Sequence, residues 1–346
     1  MPAFPESAAD TAEVDQLLTS VGLRHGRRKL MAAGFERQPK HPRQLPSPQH
    51  PNARPAKNRI QVVSSPLFRE IPWLLSGFST RTGGATSVYA PGQRAGELNL
   101  GFTPADTRDV VLENRRRLFR HITGNPDFPA VTLRQIHSSL IRRVTAADAA
   151  PAEARLKGDG LITAEPGLLL AIQTADCIPV LIADRKNRVV AAFHAGWRGT
   201  LKRIVESGVG SMRLEFGSQP KDLVAAIGPG IGQCCYSVGE EVRSEFLSQF
   251  AYAEELFCDV YDSDPVREKY PLLFLTARAP GHSNIGPSLH LDLAEANRRQ
   301  LLDAGLAPNA ISVLGHCTSC RTDLYFSHRA ANGLAGRMMS VIGAQP

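Results

Sequence analysis

From Ile60 onward, apolar runs of about four to eight residues alternate with longer amphipathic stretches. Buried strands and half-buried helices produce that pattern. Residues 168–174, 178–183 and 189–194 are nearly continuous apolar runs and predict strands covered on both faces. Residues 201–216 predict a helix that stops at Gly217, with Pro220 beyond it. Residues 223–227 and 311–314 predict two more strands, and 238–250 and 293–304 two more helices. Residues 330–342 predict a closing helix that carries Arg337. Such a mixture points to an α+β or mixed α/β fold.

The pattern is absent from residues 1–58. This stretch holds eight of the 25 prolines, several between Gln38 and Pro51, and proline propagates neither helices nor central strands. A short helix over 12–18 is the exception. The expectation is a disordered or loosely attached basic, Pro-rich arm over 1–58, followed by one domain over 59–346. Met31 offers an alternative start. The irregular stretch 261–287 reads as a tolerated insertion or a lid.

Charge refines this division. The chain carries +7, but nine Lys/Arg and five Asp/Glu place +4 of it in residues 1–58, leaving +3 for the other 288. The body therefore lacks the basic surface expected of a nucleic-acid binder. No apolar run reaches the roughly 20 residues that span a bilayer, and the first 30 residues lack the apolar stretch of a secretory signal. A cytoplasmic protein that binds neither nucleic acid nor membrane is expected, as a monomer or small homo-oligomer. In that compartment the six cysteines point to packing, metal or catalysis rather than disulfides.

Three strings carry candidate chemistry. They are Arg134-Gln-Ile-His137, Thr174-Ala-Asp-Cys177 and Phe193-His194-Ala-Gly-Trp197-Arg198. Each puts a Cys or His at the end of a predicted strand. Zinc favours these donors, and a catalytic zinc keeps three protein ligands and one open position. The separations, 40 residues from His137 to Cys177 and 17 from Cys177 to His194, form no local metal motif. From spacing alone, packed side chains or a Cys–His nucleophile pair fit as well.

Longer strings resolve the ambiguity. Phe78–Gly84, Leu98–Gly101, Glu113–Arg116, Gln135–His137, Gly158–Thr163, Thr174–Cys177, His194–Thr200 and Ile227–Tyr236 follow one another, then His290–Leu293, Cys317–Thr318, Phe326–Arg329 and Gly336–Arg337. In these, residues 60–343 resemble the YfiH-type laccase-domain family. Its members are also called multicopper polyphenol oxidase-like proteins and are now regarded as purine nucleoside phosphorylases. The resemblance implies an α+β fold with mixed sheets in α-β-β-α layers, similar to that of toxin deamidases. It implies zinc on His137, Cys177 and His194, with copper as the alternative. The implied substrates are purine nucleosides and phosphate: phosphorolysis of adenosine, inosine and methylthioadenosine, with deamination of adenosine.

Arginine forks suit phosphate, so Arg81, Arg198 and Arg329 are candidates, the first two as catalytic groups beside Cys177. Asn99 and Gln135 are candidates for ribose or base, with Arg329. Asp176 is expected to orient a ligand histidine or hold a loop. The Gly228-Pro-Gly230-Ile-Gly232 turn either binds an anion through its amides or packs against the site. Ser138 and His328 depart from the family pattern, which has Gly and Tyr there. Cys317 and Cys320 form a Cys-X-X-Cys, the pattern of a redox or second zinc site, but no matching second pair stands in the sequence, which favours simple packing. The intact ligand set argues against a non-catalytic partner protein that keeps the fold for binding, and two competing enzyme readings remain. One is a Cys–His hydrolase that edits peptidoglycan precursors; the other is a copper-dependent polyphenol oxidase.

Overall fold

The predicted strands form where apolar residues alternate between two buried faces. The computed structural model describes residues 59–89, 96–150, 156–260 and 288–346. The arm expected over 1–58, with its short helix, and the whole 261–287 insertion lie outside the described residues. In chain order the strands are β1 (Val62–Val63), β2 (Leu74–Ser79), β3 (Thr82–Thr86), β4 (Ala130–Arg134), β5 (Ile141–Arg143), β6 (Leu156–Lys157), β7 (Gly160–Thr163) and β8 (Leu169–Thr174). They continue as β9 (Ile178–Asp184), β10 (Val190–Ala195), β11 (Leu223–Ile227), β12 (Phe257–Val260), β13 (Ser288–Leu291), β14 (Ile311–Val313) and β15 (Met338–Ala344). The helices are α1 (Pro66–Arg69), α2 (Arg108–Thr123), α3 (Trp197–Leu201), α4 (Ile204–Phe216), α5 (Glu240–Gln249) and α6 (Leu293–Asp303).

Two mixed six-stranded sheets form the body, in the orders β1-β2-β15-β8-β4-β6 and β14-β11-β9-β10-β7-β5. Between them pack Leu170 and Ile172 of β8, Leu181 and Ala183 of β9, and Val190 and Ala192 of β10. The alternate residues face outward. Ile178, Val180 and Ile182 of β9 and Phe193 of β10 meet Val205, Val209 and Met212 of α4 and Leu293, Ala296 and Leu301 of α6. Leu169 and Ala171 of β8 meet Leu118 and Phe119 of α2. Helix α2 buries Val111, Asn114, Arg115, Leu118 and Phe119, a spacing that places them on one helical stripe. The layers are thus α-β-β-α in a single α+β domain, and no helix among the described residues is long and apolar enough to cross a membrane.

Two expectations need correction. Residues 338–344 are not the end of a closing helix; they form β15, paired antiparallel to both β2 and β8. Met339 and Val341 face α2, whereas Ile342 faces the second sheet. A strand apolar on both faces has no helical or strand period to read. The helix expected over 201–216 divides into α3 and α4 at Arg203, whose φ is +56°. The break is pinned from α6: Gln300 donates to the Thr200 carbonyl at 2.7 Å and Asn297 to the Thr200 hydroxyl at 3.0 Å.

Helix α4 approaches β10 through a glycine. A Cβ on Gly208 would stand 2.2 Å from the ring of fully buried Phe193, whereas one on Gly210 would meet nothing within 4 Å. Overpacking costs about 1–3 kcal/mol, and a clash this close exceeds the gain of about 1 kcal/mol from replacing a helical glycine. Denaturant unfolding should therefore rank Gly210→Ala above wild type and Gly208→Ala below it. The opposite ranking would contradict this packing.

Candidate metal centre

Three connections cross from one sheet to the other at the same end of the body. Residues 135–140 run from β4 to β5, 158–159 from β6 to β7, and 175–177 from β8 to β9. They carry His137, Asp159 and Cys177. His194, near the end of β10, pairs with Pro179 beside them. The ligand atoms of His137, Cys177 and His194 all lie within 4.8 Å of one another. The two imidazoles meet edge to face with centroids 5.0 Å apart. Gly196 permits this closeness, since a Cβ there would fall 2.9 Å from the Cys177 sulfur and 3.2 Å from the His137 ring.

Asp159 organises the group and is completely buried. Its carboxylate accepts the Nδ1–H of His194 at 2.8 Å, the amides of His137 and Ser138 at 3.0 and 2.6 Å, and the Ser138 hydroxyl at 2.7 Å. Its own carbonyl accepts the His194 amide at 2.7 Å. With Nδ1 occupied, His194 offers Nε2 as its ligand atom. The same bonds hold the turn in which His137 has a φ of +55°. Ser138 thus turns its hydroxyl to Asp159.

Charge follows geometry. Burial pushes the Asp159 carboxyl up, but the bonds from His194 and Ser138 outweigh it and bring it down to about 2. Burial likewise raises the Cys177 thiol, yet the neighbouring His194 charge and hydrogen bonds from His137 and His194 bring it to about 6. Burial lowers His194, and the Cys177 charge with the Asp159 bond raises it to about 9. Without metal, the pair is a thiolate and an imidazolium at neutral pH. One Cys and two His, with a carboxylate behind one of them, fit a zinc ion with an open fourth position.

The three side chains line a cavity of about 470 Å³, together with Gln135, Gln173, Asp176, Ile231, Tyr236, His328, Arg329 and Arg337. Burial, with the charge of Cys177, pushes Tyr236 up to about 12, so it stays a neutral phenol. The remaining candidates separate into those that reach the cavity and those that do not. Arg329 lines it, with its terminal nitrogens on the Ser237 hydroxyl and carbonyl at 2.7 and 3.0 Å. Gln135 lines it too, but its amide bridges the Gln173 backbone at 2.7 and 2.8 Å. Arg81 does not line the cavity. It is ion-paired with Glu97, donates to the Thr322 carbonyl at 2.8 Å and stacks on Phe326. It braces the segment that leads to His328. Arg198 is exposed over Trp197 and also stands outside the lining.

Asn99 is fully buried and accepts the Arg337 amide at 2.8 Å. Gly101 leaves room for the Arg337 side chain, since a Cβ there would fall 2.5 Å from it. The Leu98–Gly101 string thus positions Arg337, a cavity arginine that the sequence marked only in Gly336-Arg337. Asp176, with φ of +89°, holds loops: it accepts the Thr318 hydroxyl at 2.6 Å and the Arg329 amide at 2.7 Å. It is Asp159, present in Gly158–Thr163, that orients the histidine. The amides of the 228–232 turn are engaged too, Ile231 with the Asp176 carbonyl at 2.7 Å and Gly230 with that of His316 at 3.3 Å. The turn packs against the site and has no anion nest to offer.

Residues 75–345 match the family described as multi-copper polyphenol oxidoreductase laccase. The chain belongs to this family. Within it, the chain is 35% identical over 285 residues to purine nucleoside phosphorylase YlmD of Geobacillus stearothermophilus, a match spanning 78% of this chain and 94% of that one. It is 37% identical over 270 residues to a purine nucleoside phosphorylase of Deinococcus radiodurans, spanning 77% and 87%. The crystal structure of the Bacillus licheniformis hypothetical protein YfiH superposes with a TM-score of 0.69 at 31% identity, covering 84% of this chain and 98% of that one.

Two outcomes follow for the metal centre. Asp159→Asn should weaken zinc binding by roughly 10–100-fold in a competitive chelator titration; unchanged affinity would remove Asp159 from its role. Metal must also displace protons. The proton on His194 competes with zinc below about pH 9, and that on Cys177 joins it below about 6. Zinc affinity should fall with falling pH, and more steeply below 6; a pH-independent affinity would contradict the ligand set.

Proposed function

We propose that this chain is a zinc-dependent purine nucleoside phosphorylase. It would convert adenosine, inosine and methylthioadenosine to the free base and the sugar 1-phosphate, and also deaminate adenosine. The observation that carries the reading is the three-ligand set of His137, Cys177 and His194 on the wall of a cavity that two arginines also line. The names of the relatives support the same activity. When bound there, zinc supplies a Lewis acid with an open position at neutral pH.

The chain's own groups do the rest. Arg329 and Arg337 bring guanidinium groups to the cavity and hold phosphate by its oxygens. Ser237 aims the first, and Asn99 fixes the backbone of the second. A phosphate oxygen attacks C1′, the bond from C1′ to the base nitrogen breaks, and its electron pair leaves with the base, which takes up a proton. Positioning and charge stabilisation are what such a step asks of the protein. Residues 59–346 form the catalytic domain in this reading, and a cytoplasmic setting agrees with six free cysteines.

One observation favours a second reading for the metal-free chain. Cys177, His194 and Asp159 line up as nucleophile, base and orienting acid. A Cys–His hydrolase would gain activity when zinc is stripped, whereas the phosphorylase would lose it. A copper oxidase fits less well, because His137, Cys177 and His194 hold a single ion and the sequence lacks the repeated His-X-His pairs that a multicopper cluster needs.

Zinc-loaded protein should release adenine from adenosine only when phosphate is present; no release at full zinc occupancy would overturn the proposal. Arg337→Gln should raise the KM for phosphate roughly 10–100-fold, the loss of one charged hydrogen bond, with zinc content unchanged. An unaltered KM would move phosphate elsewhere.

A further inference from the structure

Four cysteines meet outside the nucleoside cavity. The sulfurs of Cys234, Cys235, Cys317 and Cys320 all lie within 4.8 Å of one another. Strands β11 and β14 are parallel neighbours, and each pair of cysteines sits in the segment that follows one of them. The two segments are stitched together. Gly230 donates to the His316 carbonyl at 3.3 Å, and Thr318 to the Gly230 carbonyl at 2.9 Å. The Cys317-X-X-Cys320 pair therefore has its matching pair after all, in Cys234-Cys235.

Ordinary packing does not account for the group, because Cys234 and Cys320 are exposed, whereas packed thiols are among the most buried side chains. The geometry suits a metal. Sulfurs around a tetrahedral ion with bonds of about 2.3 Å stand about 3.8 Å apart. The Cys320 sulfur lies 3.5 Å from that of Cys234 and 3.4 Å from that of Cys235, so a few tenths of an ångström of spreading makes room. Cys317 accepts the Gly232 amide at 3.3 Å and the Cys320 amide as well, bonds that orient a thiolate ligand. Gly232 keeps the space open, as a Cβ there would stand 3.3 Å from the Cys234 sulfur. Four thiolates with no oxygen donor select zinc over magnesium or calcium.

We propose that Cys234, Cys235, Cys317 and Cys320 bind a second zinc ion. With all four positions taken by protein, this site is closed and structural. It staples the β11 and β14 segments where they build the cavity wall. Ile231 and Tyr236, which flank the first pair, line the cavity. Thr318, beside Cys317, donates to Asp176, which in turn takes the Arg329 amide. The second ion touches no substrate and positions Tyr236 and Arg329.

Elemental analysis of the full chain, purified with a phosphine reductant and loaded with zinc, tests this. About two zinc ions per chain are expected in the wild type, one in Cys177→Ala and one in the Cys317→Ser/Cys320→Ser double variant. Should the double variant fail to fold, Cys177→Ala alone decides. Four of its five thiols should resist a thiol reagent until a chelator is added, and the chelator should lower its Tm. A folded Cys177→Ala protein that holds no zinc, or whose clustered thiols all react at once, would overturn the second site. Peptide mapping that finds a disulfide within the cluster under these reducing conditions would do the same. Loss of zinc from Cys177→Ala alone would leave the first site standing, so the two sites fail separately.

Discussion

One buried carboxylate holds the candidate metal centre together. Asp159 is cut off from solvent and remains ionised, because donors from the 135–140 crossover and from His194 on β10 converge on it. A buried anion without such partners would cost several kcal/mol; with them it becomes a fixed point from which the turn at His137 and the tautomer of His194 are both set. Cys177 completes the set because Gly196 leaves space for its sulfur. The site is therefore a property of the sheet ends. It needs both sheets, since its crossovers each leave one and enter the other.

The opposite wall depends on a second carboxylate with a different task. Asp176 sits in a backbone conformation that costs about 1–3 kcal/mol for a residue with a side chain. Thr318, the Arg329 amide and the Ile231 amide all bond to it and hold it there. Through these bonds the residue next to Cys177 is tied to an arginine that lines the cavity. The four-cysteine cluster lies behind the same wall, so the wall is anchored from both sides. The candidate metal ligands and the cavity arginine thus share one frame.

Much of this was legible in the sequence, for physical reasons. Strands β8 to β11 are readable because burial on both faces demands uninterrupted apolar runs, and the Cys177 and His194 strings fall at their ends, while that of His137 follows β4. The layered fold and the ligand set came from the family resemblance, since 40 and 17 residues of separation carry no local geometry. What was not legible depends on contacts between distant segments. β15 looked helical because both its faces are buried. Asp159 was visible as a letter in Gly158–Thr163, but its bond to His194 exists only after β7 and β10 pair. Arg81 and Asn99 stood out as site residues, yet the fold uses them to brace Thr322 and Arg337. The partner pair of Cys317 and Cys320 exists only once β11 and β14 align.

On this reading a single buried carboxylate presents one Cys and two His to a common metal ion. A crystal of the zinc-loaded protein, with anomalous data collected at the zinc edge, tests it most directly. A peak is expected about 2.3 Å from the Cys177 sulfur and about 2.0–2.1 Å from one nitrogen each of His137 and His194, with His194 coordinating through Nε2 and Asp159 on Nδ1. A fully loaded crystal with no peak at that point, or with His194 turned so that Nδ1 meets the metal, would contradict it.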